Sequence, residues 1–426
     1  MTPPLFRERL TNGLRVTIAP DMRAPLVAVN LWYHVGSAME RAGRTGFAHL
    51  FEHMLFQGSA HVDANGHFDA IQRVGGTLNG STWLERTNYF ETVPSHELAL
   101  ALWLEADRMG QLLPAMTQAK LDTQRDVVKN ERRWSVDNQP YGTWWEQLPA
   151  LCYPPTHPYH HSLIGSMEDL SAATLDDVRA FFETWYAPDN AVLTIVGDVD
   201  VDATRALVAE HFGSIRRAGA VPARPDFTLR DDATTAAPRT VTIPDRVPLS
   251  RVLVAMRIPP LTSPEHAIAD VVAAALATRR GSRLYRALQR DAGCASATSA
   301  FTWDLSAGAD LFVADATAQS GTDVDALSRA LHAELDRMHA TPLTRDELAR
   351  ATTVLATERA SALATAQGRA DAISQAVTYF DDPAWAFTRE AAWRAVDVAA
   401  AQAFVARWLT PSARFELRYV PSEGAA

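Results

Sequence analysis

The chain has 426 residues, 47% hydrophobic and 21% charged, a composition that fits a globular protein of more than one domain and excludes a disordered chain. Fifty acidic against 40 basic residues leave a net charge of −10, and with both signs interspersed there is no basic stripe for a phosphate backbone, so nucleic acid is excluded as an expected partner. Cys152 and Cys294 stand in unrelated contexts and supply neither a disulfide framework nor a CxxC site; they read as two buried thiols. No stretch reaches the ~18 apolar residues of a spanning helix, and MTPPLFRERLTNGLRV lacks the charged-then-apolar pattern of a secretion signal. No membrane partner is expected, and the expected compartment is the cytoplasm, or the periplasm if a leader was trimmed.

In chain order, RLTNGLRVTIAP reads as a hairpin turning at Asn12-Gly13, and LVAVNLWYHVGSAME as a strand. GFAHLFEHMLFQGS has the apolar spacing of an amphipathic helix, and HFDAIQRVGG that of a helix stopped by paired glycines. TLNGSTWLERTNYFETVP and NAVLTIVGDVD have β character, with helical stretches between them. Residues 216–240 lose periodicity and gain Pro, Ala and charge, which predicts a linker between domains at 1–215 and 241–426.

These two halves are related. One shift of 223 positions brings Val29 onto Val252, Gly58-Ser59 onto Gly281-Ser282, and Phe181, Trp185 and Pro188 onto Phe404, Trp408 and Pro411. Helical or strand periodicity alone does not demand such matches. The repeat fails where His49, Glu52 and His53 fall on Val272, Ala275 and Leu276. The second half thus carries plain core residues where the first carries groups that are costly to bury unless something binds them.

Residues four apart on a helix point the same way, so His49 and His53 can reach one ion, with Glu52 beside them. Zn²⁺ held by three protein groups keeps a fourth position for water and lowers its pKa towards ~7; a neighbouring carboxylate then acts as general base. The candidate third ligand is Glu131 in LDTQRDVVKNERRWSVDNQPYG, a predicted helix with Val127 and Val128 inward; Asp126 and Asp137 are rivals on chemistry alone. The cluster THPYHHSL, with His157, His160 and His161, sits in a proline-rich loop without a nearby carboxylate and reads as structural or surface histidines.

HxxEH followed by a distant glutamate, in a chain of two related halves, resembles the pitrilysin/insulysin (inverzincin) family of zinc peptidases. GFAHLFEHMLFQGS, GGTLNGSTWLERTNYFETVP, VVKNERR and NQPYG resemble its short bacterial two-subunit branch, related to the mitochondrial processing peptidase. The resemblance implies an α+β fold of two homologous domains, each a mostly antiparallel sheet packed with helices, forming half of a clam-like chamber. It implies His49, His53 and Glu131 as zinc ligands, Glu52 as general base, and an edge strand with Asn79, Gly80, Ser81 and Thr82 that pairs with the substrate backbone. On residues alone, Asn79-Gly80 reads equally as a turn. Gln124 takes the place of an acidic residue that would support the glutamate ligand by hydrogen bonding.

Family members of this kind use an Arg and a Tyr seven apart in the second half to grip substrate and stabilise the oxyanion. In GSRLYRALQRDAGCASATSAF these positions are Gln289 and Ser296, and Arg290 is one residue out of register. Losing such a donor costs ~10²–10³-fold in rate, so the resemblance implies a heterodimer: a homologous chain without HxxEH supplies the Arg and Tyr. The expected function is a zinc-dependent endopeptidase subunit acting on peptides or unfolded segments. The rivals are a non-catalytic subunit of a larger complex, against which the intact motif speaks, and a homodimeric peptidase, against which the missing pair speaks.

Overall fold

In a computed structural model of the chain, residues 3–217, 223–229 and 239–422 are described. The expected linker falls largely on 218–222 and 230–238, outside these residues.

The first part of the chain runs β1 (Phe6–Arg9), β2 (Arg15–Pro20), β3 (Leu26–Tyr33), α1 (Phe47–Met54), α2 (Gly66–Arg73), β4 (Thr77–Thr82) and β5 (Thr87–Pro94). There follow α3 (Leu98–Gln111), α4 (Gln118–Arg132), α5 (Trp144–Cys152), α6 (Met167–Ala172), α7 (Leu175–Trp185), β6 (Ala191–Gly197) and α8 (Val201–Phe212). The second part runs β7 (Thr240–Asp245), β8 (Arg251–Ile258), α9 (His266–Ala277), β9 (Ala295–Thr302) and β10 (Asp310–Ala318). It ends with α10 (Val324–Ala340), α11 (Arg345–Ala362), α12 (Ala366–Phe380), α13 (Trp385–Arg394), α14 (Val398–Trp408) and β11 (Phe415–Pro421).

The strands form two sheets of the same design. The first has the order β1-β2-β6-β3-β5-β4 and the second β7-β11-β8-β10-β9. Each contains one parallel pair, β2 with β6 and β7 with β11, and is otherwise antiparallel. The repeat seen in the sequence is therefore structural: the shift of 223 carries both ends of α7 onto those of α14, and the start of β5 onto that of β10. The Asn12-Gly13 turn lies between β1 and β2, with Gly13 at φ 96°, and the buried Asn12 amide donates to the carbonyls of Phe212 and Ile215.

The chain folds as two units, and neither is contiguous in sequence. The first comprises Met1–Arg132, His161–Pro225 and Ser361–Phe387; the second Arg133–His160, Asp226–Ala360 and Thr388–Ala426. The excursions are equivalent elements of the repeat. Within the first unit α12 lies on β3 and β6, its Ala370, Ile373, Ala376 and Val377 packing with Trp32, Val192 and Val196. Burying Ile373 and Val377 is worth roughly 1.5–3 kcal/mol each, and Ser374 adds a 2.8 Å hydrogen bond to Thr194 on β6. Within the second unit α5 lies on β8 and β11, where Leu148 and Cys152 are buried and the Thr143 hydroxyl is 2.8 Å from that of Tyr419.

Two expectations need correction. Val127 is 42% exposed while Val128 is fully buried, because consecutive helical residues are turned by about 100° and cannot share one inward face. Cys152 is a buried thiol, but Cys294 is only half-buried, since it lies in the short connection just before the edge strand β9.

Candidate metal centre

The helix α1 forms because Phe47, Leu50, Phe51 and Met54 recur at helical spacing and are all buried. Phe51 anchors it, with its ring 5.6 Å from Phe181 and 5.9 Å from Phe182 of α7 and 4.6 Å from Tyr186. This leaves His49 buried, and Glu52 and His53 half-buried, along the helix's remaining flank. On α4 the buried stripe is Leu121, Gln124 and Val128, and Glu131 is the next position of that stripe. Asp126 and Asp137 are exposed.

The two helices bring His49, His53 and Glu131 together, with one potential ligand atom from each lying within 4.8 Å of the others. His49 Nε2 is 3.6 Å from Glu131 Oε1, and His53 Nε2 is 3.2 Å from Glu131 Oε2. The imidazole rings are 4.9 Å apart and nearly perpendicular, at 82°. Burial brings the His49 imidazole down to about 4, against the opposing pull of Glu131, so at neutral pH its ring nitrogen keeps a lone pair. The hydrogen bond from His53 holds the Glu131 carboxyl below the usual range, and hence anionic. His49 Nδ1 is buried without a hydrogen-bond partner, so the site does not satisfy its own polar groups. Two imidazoles and one carboxylate are a donor set suited to zinc with an open fourth position.

A second cluster, His266, Asp270 and Asp304, also gathers suitable ligand atoms. Here Arg389 stands among them, 2.6 Å from Asp270 and 2.9 Å from His266 Nδ1, and Trp393 Nε1 donates to Asp270 at 2.7 Å. That cluster already contains its cation.

Glu52, beside this cluster, also reaches the edge strand β4. Its Oε2 accepts a 2.6 Å hydrogen bond from the Thr82 hydroxyl. Burial pushes its carboxyl up, and the Thr82 bond opposes the rise. Gly80 lets the strand approach closely: a Cβ there would lie 3.1 Å from Glu52 Cγ and Oε1 and 3.2 Å from Phe56, so these side chains would have to shift by a few tenths of an ångström. Asn79-Gly80 is strand and not turn, with Asn79 opposite Phe90 and Gly80 opposite Tyr89. Since β4 closes its sheet, no strand among the described residues pairs with its outer edge. Ser81 donates to Asn88 at 2.6 Å.

Gln124 lies buried on α4, two turns before Glu131. In the second unit Gln289 donates to Thr298 at 2.7 Å and Ser296 to the Ala318 carbonyl at 2.9 Å, so both act within the β9 region. Arg290 is bound to its neighbour Asp291 at 2.7 Å. The three histidines of THPYHHSL are structural: His157 and His160 meet the carbonyls of Phe227 and Tyr153, and His161 that of Ser37. Sequence reasoning passed over Arg86, whose guanidinium donates to the Ser81 carbonyl at 2.9 Å and steadies β4. It also passed over Glu40, which meets the backbone at the start of α1. A glycine preceding α1, unable to cap it with a side chain, was the available signal for Glu40.

Two family models match the chain: "Insulinase (Peptidase family M16)" over residues 15–153 and "Peptidase M16 inactive domain" over residues 172–355. The zinc protease PqqE of Helicobacter pylori is 30% identical over 341 residues, 80% of this chain and 76% of that one. The mitochondrial-processing peptidase subunit beta of Lentinula edodes is 26% identical over 206 residues, 48% of this chain and 43% of that protein. Among solved structures, a protease from Helicobacter pylori is similar with a TM-score of 0.91 at 25% identity, covering 98% of this chain and 100% of that one.

Proposed function

The chain belongs to peptidase family M16, and from that premise we propose that it is the metal-bearing subunit of a zinc-dependent endopeptidase. The observation that carries this reading is the convergence of His49 and His53 Nε2 on the Glu131 carboxylate, beside a glutamate that faces an open strand edge. His49, His53 and Glu131 would hold the zinc. When bound, the metal supplies Lewis acidity, polarising a carbonyl and making water a better proton donor.

The chain's own residues do the rest. Glu52, aimed by Thr82, accepts the proton of the attacking water and returns it to the leaving amine. The outer edge of β4, at Asn79, Gly80, Ser81 and Thr82, pairs with the substrate backbone, which holds a peptide extended without dictating its side chains. An extended substrate must be a peptide or an unfolded segment.

Oxyanion support is the missing part, because Gln289 and Ser296 are occupied within their own unit. A homologous chain carrying Arg and Tyr would supply it in a heterodimer. Metal analysis combined with Glu52→Gln tests the reading. Zinc retained while peptide cleavage is lost supports it, whereas no zinc in the parent chain favours a non-catalytic subunit.

A further inference from the structure

The helix that carries HxxEH has no local cap. It is preceded by Gly46, whose φ of 82° and lack of a side chain leave the first-turn N–H groups without the usual partner. A longer residue does not fit there, since a Cβ on Gly46 would lie 2.5 Å from the Ile164 carbonyl oxygen. The partner comes instead from Glu40. Its Oε2 accepts from Gly46 N–H at 2.9 Å and its Oε1 from Ala48 N–H at 2.7 Å, and its side chain is wholly withdrawn from solvent. A carboxylate at this end also suits the helix dipole.

Glu40 is itself held. His161 Nε2 lies 3.1 Å from Glu40 Oε2 and 2.8 Å from the Ser37 carbonyl. The segment that begins at His161 goes on to meet α4, where Arg132, the residue after Glu131, donates to the Gly165 carbonyl at 2.8 Å. One short stretch, His161 to Gly165, thus touches the cap of α1 and the end of α4. Thr45 adds a fixed point through its 2.9 Å N–H bond to Asp169.

We propose that Glu40 is a positioning residue of the metal centre: its carboxylate clasps the Gly46 and Ala48 N–H groups, pairs with His161, and sets α1 in register with α4 so that His49 and His53 meet Glu131. This rests on the zinc-peptidase reading. Ala48 directly precedes His49, so a slip of the first turn passes undiminished to the imidazole.

The test uses Glu40→Gln and Glu40→Ala in the full chain, with Glu52→Gln as reference. Zinc affinity by chelator competition, the visible spectrum of the cobalt-substituted protein, kcat and KM, thermal midpoint, and amide exchange over residues 47–54 of the metal-free protein are compared. Glu40→Gln keeps one acceptor and the shape, and is expected to weaken zinc binding about 10–100-fold, as loss of supporting partners does. It should alter the cobalt spectrum and lower kcat with KM unchanged; Glu40→Ala should do more and speed exchange in α1. A lowered midpoint with parental zinc affinity, cobalt spectrum and exchange overturns the proposal, and if Glu40→Ala does not fold, Glu40→Gln decides alone. Failure of the underlying reading looks different: the parent binds no zinc, or Glu52→Gln cleaves as the parent does. Exchange in α1 then still decides whether Glu40 sets the helix.

Discussion

Replacing Thr82 with valine removes one hydroxyl and little else. Valine matches threonine in volume and β-branching, so β4 keeps its pairing with β5. The hydroxyl lost is the one donating to Glu52 Oε2 at 2.6 Å, and hydrogen bonds to charged groups are worth about 1.5–3 kcal/mol. At about 1.4 kcal/mol per tenfold in rate, kcat/KM should fall about tenfold to hundredfold. Bound zinc should be unchanged, because the Thr82 hydroxyl bonds Glu52 and Thr82 is not one of the three grouped ligand residues. Thr82→Ser, which keeps the donor, should recover most of the loss. The assay is cleavage of a quenched fluorescent peptide by the chain together with the homologous partner proposed above, alongside metal content. Thr82→Val activity within about twofold of the parent would refute the idea that this bond aims the carboxylate, and loss of zinc would show that the strand supports the metal instead.

Glu131→Gln should lower zinc content with little change in far-UV circular dichroism, since an amide is a far weaker ligand than a carboxylate. Acid should weaken the second unit in particular. Burial would raise the Glu347 carboxyl, but Arg283 and Thr344 bring it down to about 2, and His332, Arg418 and Ser328 do the same for Glu416. A folded value below the ordinary 4.5 means the stabilisation is present above that pH and lost as pH falls towards 2, amounting to ~3 kcal/mol per group. Urea midpoints measured between neutrality and strong acid should show this, and Glu347→Gln should flatten its share of the slope. Gly46→Ala should cost about 2 kcal/mol or more, because a side chain there combines positive φ with the Ile164 contact; an unchanged urea midpoint would contradict it.

Local periodicity made much of this molecule legible. Strands β2, β3 and β6 are alternating or continuous apolar runs, and the shift of 223 could be seen because whole elements recur at it. His49, Glu52 and His53 stood out against Val272, Ala275 and Leu276, which are buried core residues of α9. The less legible features depend on distant partners. An amphipathic stripe on α12 says that it is covered but not by which sheet. Asn79-Gly80 has turn chemistry that pairing with Phe90 and Tyr89 overrides. Glu40 and His161 are 121 positions apart, and no spacing rule joins them. Val127 was misjudged because a pair of adjacent valines looks apolar as a block, although only one can face inward.

The placement of α12 on the first sheet has a consequence for biosynthesis. As the chain leaves the ribosome, Trp32, Val192 and Val196 are made long before the residues that cover them. Until Ala366–Phe380 emerges, that apolar face must be shielded by transient contacts or by a chaperone. The same timing bears on gene dissection: a fragment ending between the repeats would expose this face in the first unit, and the remainder would lack α5 over β8 and β11. Fragments cut there should be insoluble when expressed separately and recover only when both are produced together.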